Sequence, residues 1–245
     1  MNRINALIVW PISLALAVCL CSCAGADRRV RADSGPDLRV FVFSYLLLDE
    51  PEQLSKDELS TLVKGHRSNI EQLSEAGTLL IAGPLFEPVI GENYSGLFVF
   101  DVRTIEDGLR LFNTDPAVQA KVFKPEMYLF ESADPLVELT RLKREEKEAR
   151  LADPDIPDAW EGRAYVLAVA SPQSSFDARD KAVLVNGLMT PHRSDAPSQR
   201  LLFLDFDTVD QARDGFTATD LDDWSFYGWY GSKTVGALRS LATNE

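Results

Sequence analysis

The chain has 245 residues, 45% of them hydrophobic, and a formal charge of -13. That size supports one sizeable core or two small ones, and the negative balance excludes nucleic acid as a partner, because polyphosphate would be repelled. The three cysteines are Cys19, Cys21 and Cys23 and there are only two histidines, which excludes a disulfide or thiol nucleophile in the body of the chain and a His- or Cys-rich metal centre.

At the N-terminus Arg3 gives a weak positive start, Ala6 to Leu20 is almost wholly apolar, and polar residues begin at Asp27. The apolar run has the length of a signal-peptide core and is short for a spanning helix of about 20 residues. Ser22 precedes Cys23 and Leu20 lies three positions upstream, which resembles a bacterial lipobox and implies cleavage before Cys23 with a lipid on that cysteine. Cys19 and Cys21 fit worse, because Val18 and Leu20 precede them. An uncleaved anchor is the alternative. Either way the folded part is exported and held at a membrane. Ala24 after Cys23 points to the periplasmic face of the outer membrane in a Gram-negative cell. The expected layout is a signal peptide over 1–22 and a polar tether over 23–37.

Arg39 to Leu48 is apolar, β-branched and aromatic, and reads as a strand. Ser55 and Glu58 form a capping box, after which Leu59, Leu62, Val63, His66, Ile70 and Leu73 recur at helical steps until Gly77. Thr78 to Ala82 is a second strand, ended by Gly83-Pro84, and Leu97 to Val102 a third. Thr104 caps a helix running to Phe112, Ala117 to Lys121 adds a helical turn, and Glu126 to Glu131 is the fourth strand. This βαββαβ order is ferredoxin-like. Residues 134–160 form a charged helical linker with a solvated run, Arg141 to Arg150, stopped by Asp153-Pro154-Asp155-Ile156-Pro157.

Residues 161–245 read as a worn second copy of 38–133. Leu202 to Asp210 echoes Phe98 to Glu106, Val183 to Leu188 echoes Leu79 to Leu85, and Phe216 falls where Phe112 does. The first helix of the copy is short or missing. His192 falls in a loop, Thr219 or Asp220 stands opposite Asp115, and the aromatic cluster of Trp224, Phe226, Tyr227, Trp229 and Tyr230 reads as core or interface rather than a ligand pocket.

A helix bearing His66, a strand ending in Ala82-Gly83-Pro84, an amphipathic segment, Asp115-Pro116 and a final strand together resemble the YCII-related family over 38–133. Members of that family usually pair as homodimers, sheet face on sheet face. The resemblance therefore implies an α+β fold in which two ferredoxin-like units, the second degenerate, form an intramolecular pseudo-dimer shaped as a barrel-like sandwich. It also implies that His66 and Asp115 form a catalytic pair. Imidazole can take and give a proton near neutral pH, and a carboxylate would orient it. The plain alternative is a satisfied core histidine beside an Asp that merely starts the turn at Pro116.

Tyr45, Gly83, Pro84 and Ser95 are candidate pocket-lining residues, with Tyr94 as a further hydroxyl, although Gly83-Pro84 also reads as a simple strand terminator. No phosphate loop, dinucleotide fingerprint, nucleophile elbow or zinc motif occurs, so no cofactor is expected. Two functions stay open. One is a lipid-anchored protein with a small-molecule pocket and cofactor-free proton-transfer chemistry of isomerase, lyase or hydrolase type. The other is a non-catalytic ligand-binding or assembly module of the cell envelope.

Overall fold

The computed structural model describes residues 37–49, 54–88, 90–153, 162–177, 180–192 and 195–242. The signal peptide, Cys23 and all but the last residue of the expected tether lie outside that set. The strands are β1 (Arg39–Leu48), β2 (Leu79–Phe86), β3 (Tyr94–Phe100), β4 (Phe123–Ser132), β5 (Gly162–Ala170), β6 (Val183–Pro191), β7 (Gln199–Leu204) and β8 (Ser225–Ser232). They close into one antiparallel eight-stranded barrel in the order β1-β3-β2-β8-β5-β7-β6-β4.

The six helices among the described residues are α1 (Lys56–Glu75), α2 (Ile105–Phe112), α3 (Pro116–Gln119), α4 (Glu138–Ala152), α5 (Val209–Gly215) and α6 (Leu238–Ala242). None is long and apolar enough to cross a membrane.

The sequence explains the closure. On β1, Phe41, Phe43 and Tyr45 point inward, whereas Val42 and Leu46 point outward, and all five are buried. A strand buried on both faces reads as a continuous apolar run, and such a sheet needs cover on each side. The inner faces cover one another. Trp229 stacks on Tyr165 with ring centroids 4.9 Å apart and meets Phe203 edge-on at 5.4 Å, so the interior is packed rather than open. Outside, α1, α2 and α3 cover β1, β3 and β4, while α5 and the Phe176 loop cover β5, β7 and β8.

Around the barrel the first four strands run β4-β1-β3-β2 and the last four β8-β5-β7-β6. The seams are β2 with β8, through Leu85↔Trp229 and Phe86↔Gly228, and β4 with β6. The first seam revises the expected end of the second strand. β2 continues through Gly83-Pro84 to Phe86, because those residues form the join to β8. Gly83 is required there: a Cβ would land on the Tyr230 carbonyl oxygen.

Helix α1 has the expected capping box, and Gly77 follows it at φ 73°. Its apolar stripe is only partly used, since Leu59 and Val63 at the N-terminal end are 44% and 41% exposed. The second half has no helix between β5 and β6 among the described residues. Phe176 lies there instead, stacked on Phe216 and edge-on to Trp224. Trp224, Phe226 and Trp229 are core, and Tyr230 is exposed.

The charged run forms α4, which is more than a solvated connector. Leu136 and Leu139 are fully buried against the barrel interior, beside Val235 and Leu238 from the C-terminal turns, so one barrel end is plugged. Arg141 pairs with Glu138 and Glu145 on the wet face. Lys143 turns inward, and its Nζ donates to the Leu80 carbonyl at 2.8 Å and the Ser74 hydroxyl at 2.9 Å.

Burial pushes the Lys143 amine down to about 8. Its unfolded value is about 10.4, so between these pH values the unfolded chain holds the extra proton and stability rises with pH. From pH 8 to 9.5 this adds on the order of 1–2 kcal/mol, before tyrosines titrate. Urea unfolding should show that rise in the wild type and a flat response in Lys143→Met. A flat wild-type curve would mean that the buried amine keeps its proton.

Candidate functional site

His66 sits on the third turn of α1, and Asp115 is the N-cap of α3, in the turn after α2. The fold brings them into direct hydrogen bonding, His66 Nδ1 to Asp115 Oδ2. The other carboxylate oxygen of Asp115 accepts the Ala117 N–H at 2.9 Å. One carboxylate thus starts a helix and holds an imidazole. It is fully buried, whereas the His66 side chain is 18% exposed.

A carboxylate accepting at Nδ1 fixes the tautomer with the proton on that nitrogen. Nε2 is left with its lone pair, no hydrogen-bond partner among the described residues and contact with solvent. The ring lies 5.3 Å from the Phe123 ring and 6.1 Å from Phe98, between centroids. These rings give the imidazole apolar walls and a single polar anchor. That arrangement can take a proton at Nε2 and return it, with Asp115 stabilising the transient imidazolium.

Two contacts hold the helix over the turn. At Gly65 a Cβ would stand 3.1 Å from Pro116 Cγ, so α1 comes down on α3 where α1 has no side chain. A glycine inside a helix costs about 1 kcal/mol relative to alanine, and close approach accounts for it here. The second contact is Asn69 with Thr114. The Thr114 hydroxyl lies 2.7 Å from the Leu111 carbonyl and 2.9 Å from the Asn69 carboxamide. It has one hydrogen, which goes to the carbonyl, so it accepts from the Asn69 NH2. The opposite amide orientation leaves that buried nitrogen without a partner.

Neither contact was singled out from sequence, nor were the Phe98 and Phe123 walls. The available signal was a polar Asn one turn after His66 on an apolar stripe, with Thr114 directly before Asp115. Ser44, inside the apolar run of β1, carries no sequence signal of its own. It is fully buried and pairs across the sheet with Phe98 and Met127, on the face under α1.

The pocket candidates are not brought to His66. Tyr45 pairs with Leu97, which faces the barrel interior, whereas Phe98 beside His66 faces out. Ser95 donates to the Leu46 carbonyl at 3.0 Å, Pro84 is exposed, and Gly83 serves the seam. His192 is exposed at the end of β6. In the second half Asp220 accepts the Asp222 N–H at 3.1 Å as the cap of the 3-10 turn Leu221–Asp223, in the manner of Asp115. The Thr219 hydroxyl instead bonds to Ser175. No histidine accompanies Asp220.

Among the described residues no group of three or more His, Cys, Asp and Glu side chains is arranged to hold a metal ion. The chain matches no protein-family model, no curated protein and no solved structure. The likeness to YCII-related proteins therefore rests on the residues quoted for it.

Because Asp115 has two roles, its substitutions should separate. Asp115→Ala loses the cap and strands the imidazole, at about 3 kcal/mol in urea unfolding, whereas Asp115→Asn keeps the cap and costs about 1 kcal/mol. Equal costs would show that the capping bond contributes nothing. Gly65→Val should destabilise by about 2 kcal/mol through the clash with Pro116.

Proposed function

We propose that this protein is an exported, lipid-anchored member of the YCII-like group that carries out cofactor-free proton transfer on a small molecule, with His66 Nε2 as the base and acid. The observation that carries the reading is the hydrogen bond of His66 Nδ1 to a fully buried Asp115, with Nε2 unbonded. A buried carboxylate that only capped a helix would not need its second oxygen on an imidazole. In the forward step Nε2 removes a proton from carbon or from water, and the positive charge that develops on the ring is balanced by Asp115. In the return step the imidazolium delivers that proton to the product or leaving group. Phe98 and Phe123 exclude water from one side of the ring, which strengthens the charge interaction. Isomerase, lyase and hydrolase chemistry all fit this cycle.

The chain further reads as an internal duplication, two ferredoxin-like units closed on each other as a pseudo-dimer. Beyond the shared strand order, two details support it. A register shift at Leu79/Ile81 against Phe100 and Val99 recurs at Val183/Val185 against Leu204 and Phe203. Arg39 pairs with Asp101 and lies over Phe41, and Arg163 pairs with Asp205 and lies over Tyr165. One observation favours the rival reading, a non-catalytic envelope module: the second half keeps the capping Asp220, but its one histidine, His192, is exposed just after β6 and is not bonded to that cap. A scaffold that has shed one site has a precedent within itself for shedding the other.

Turnover decides between them. Small carboxylic acids and lactones offered to the full chain should give a reaction that falls by about 10²- to 10⁴-fold in His66→Ala, with unchanged folding by circular dichroism. Turnover that survives the substitution would remove His66 from the chemistry. Metabolic labelling with a fatty acid tests the anchor: Cys23→Ser should abolish incorporation, and persistent labelling would contradict the assigned cysteine.

A further inference from the structure

The barrel end opposite the one plugged by Leu136 and Leu139 gathers a second, half-buried cluster that the His66 chemistry does not use. Tyr45 near the end of β1, Tyr94 at the start of β3, Glu126 and Tyr128 on β4, and Tyr227 on β8 all point inward there. Tyr94 donates to Glu126 Oε2 at 3.0 Å and Tyr128 donates to Oε1. The Tyr45 ring meets Tyr94 edge-on at 5.2 Å and Tyr128 at 6.0 Å.

Tyr45 is 3% exposed, yet neither its hydroxyl nor that of Tyr227 has a hydrogen bond among the described residues. Neither oxygen is among the enclosed atoms that lack a partner, so both reach solvent and can donate to a ligand. Glu126 is the charge at the centre of the cluster. Lys124, on the same face toward the rim, is bound to Asp49 at 3.1 Å. Burial and the neighbouring carboxylate push Tyr94 up to about 12 and Tyr45 and Tyr128 upward as well, so the phenols stay neutral donors. A carboxylate among four tyrosines selects a cation, through its own charge and the quadrupoles of the rings. Two of its lone-pair sites remain after the phenols are bound.

We propose that this barrel mouth is a binding site for a small organic ammonium ion that also carries a hydroxyl or ether oxygen: Glu126 and the tyrosine rings hold the cation, and the Tyr45 hydroxyl donates to the oxygen. The site is separate from His66, which lies on the outer face of the same sheet.

Calorimetric titration of the full chain, in maltoside detergent and phosphate buffer, uses choline and its neutral isostere 3,3-dimethyl-1-butanol as probes. Choline should bind at least about tenfold more tightly than the isostere. Glu126→Gln should lose about tenfold or more, and Tyr45→Phe, which keeps the ring, about fivefold. His66→Ala should bind choline as the wild type does. Equal affinity for choline and its isostere, no heat from choline at millimolar concentration, or unchanged binding in a folded Glu126→Gln variant would each overturn the assignment.

Discussion

A strand such as β1, apolar on both faces, can be held in water only if neither face and no edge is left uncovered, and barrel closure is the constraint from which the other features follow. The inner faces of β1 to β4 and β5 to β8 consume each other around Trp229, Tyr165, Phe203 and Phe130. The join between β2 and β8 is short, through Leu85 and Phe86, and depends on Gly83 letting the Tyr230 carbonyl approach. The interior is filled, and one end is plugged by Leu136, Leu139, Val235 and Leu238. The His66–Asp115 pair lies on the outer face of the sheet, and the Tyr45–Glu126 cluster at the other end of the barrel.

On the outer face, economy of parts defines the site. Asp115 caps α3 with one oxygen and orients His66 with the other, so folding of the turn and alignment of the imidazole are one event. Gly65 and the Asn69–Thr114 bond set the height of α1 above that turn. The first half carries this assembly in full. In the second half Asp220 is likewise a cap, and the Phe176 loop, not a helix, lies between β5 and β6 among the described residues. Phe176, packed on Phe216 and Trp224, covers the sheet there.

Much of this was legible in the residues. The first strand, the capping box at Ser55 and Glu58, the caps at Thr104 and Asp115, and the strand-helix order follow from local chemistry that does not depend on distant partners. His66 stood out because a titratable ring replaced an apolar residue on a helical stripe. What was not legible depends on contacts far along the chain. β2 reads as ending at Gly83-Pro84, since nothing nearby announces that β8 will pair with Leu85 and Phe86. The run from Arg141 to Arg150 reads as solvated because its inward Lys143 and Leu142 are outnumbered by its charges, and the buried Leu136 and Leu139 lie just before it. Tyr45 reads as a pocket residue near His66, whereas strand alternation puts it on the other side of the sheet. A barrel-like shape is what the family resemblance implies, whereas its closure through β2–β8 and β4–β6 is a property of seams, which no local pattern encodes.

The most direct test of the account is the tautomer of His66, read from nitrogen-15 chemical shifts of the imidazole with His192 as the exposed internal reference. In the neutral ring of the wild type, His66 should hold its proton on Nδ1, facing Asp115, with the lone pair on Nε2. In Asp115→Asn the amide group facing the ring should reverse this, placing the proton on Nε2. A wild-type His66 with the ordinary Nε2-protonated form of a free histidine, unchanged by the substitution, would show that the carboxylate does not set the imidazole and would contradict a proton-transfer centre at this position.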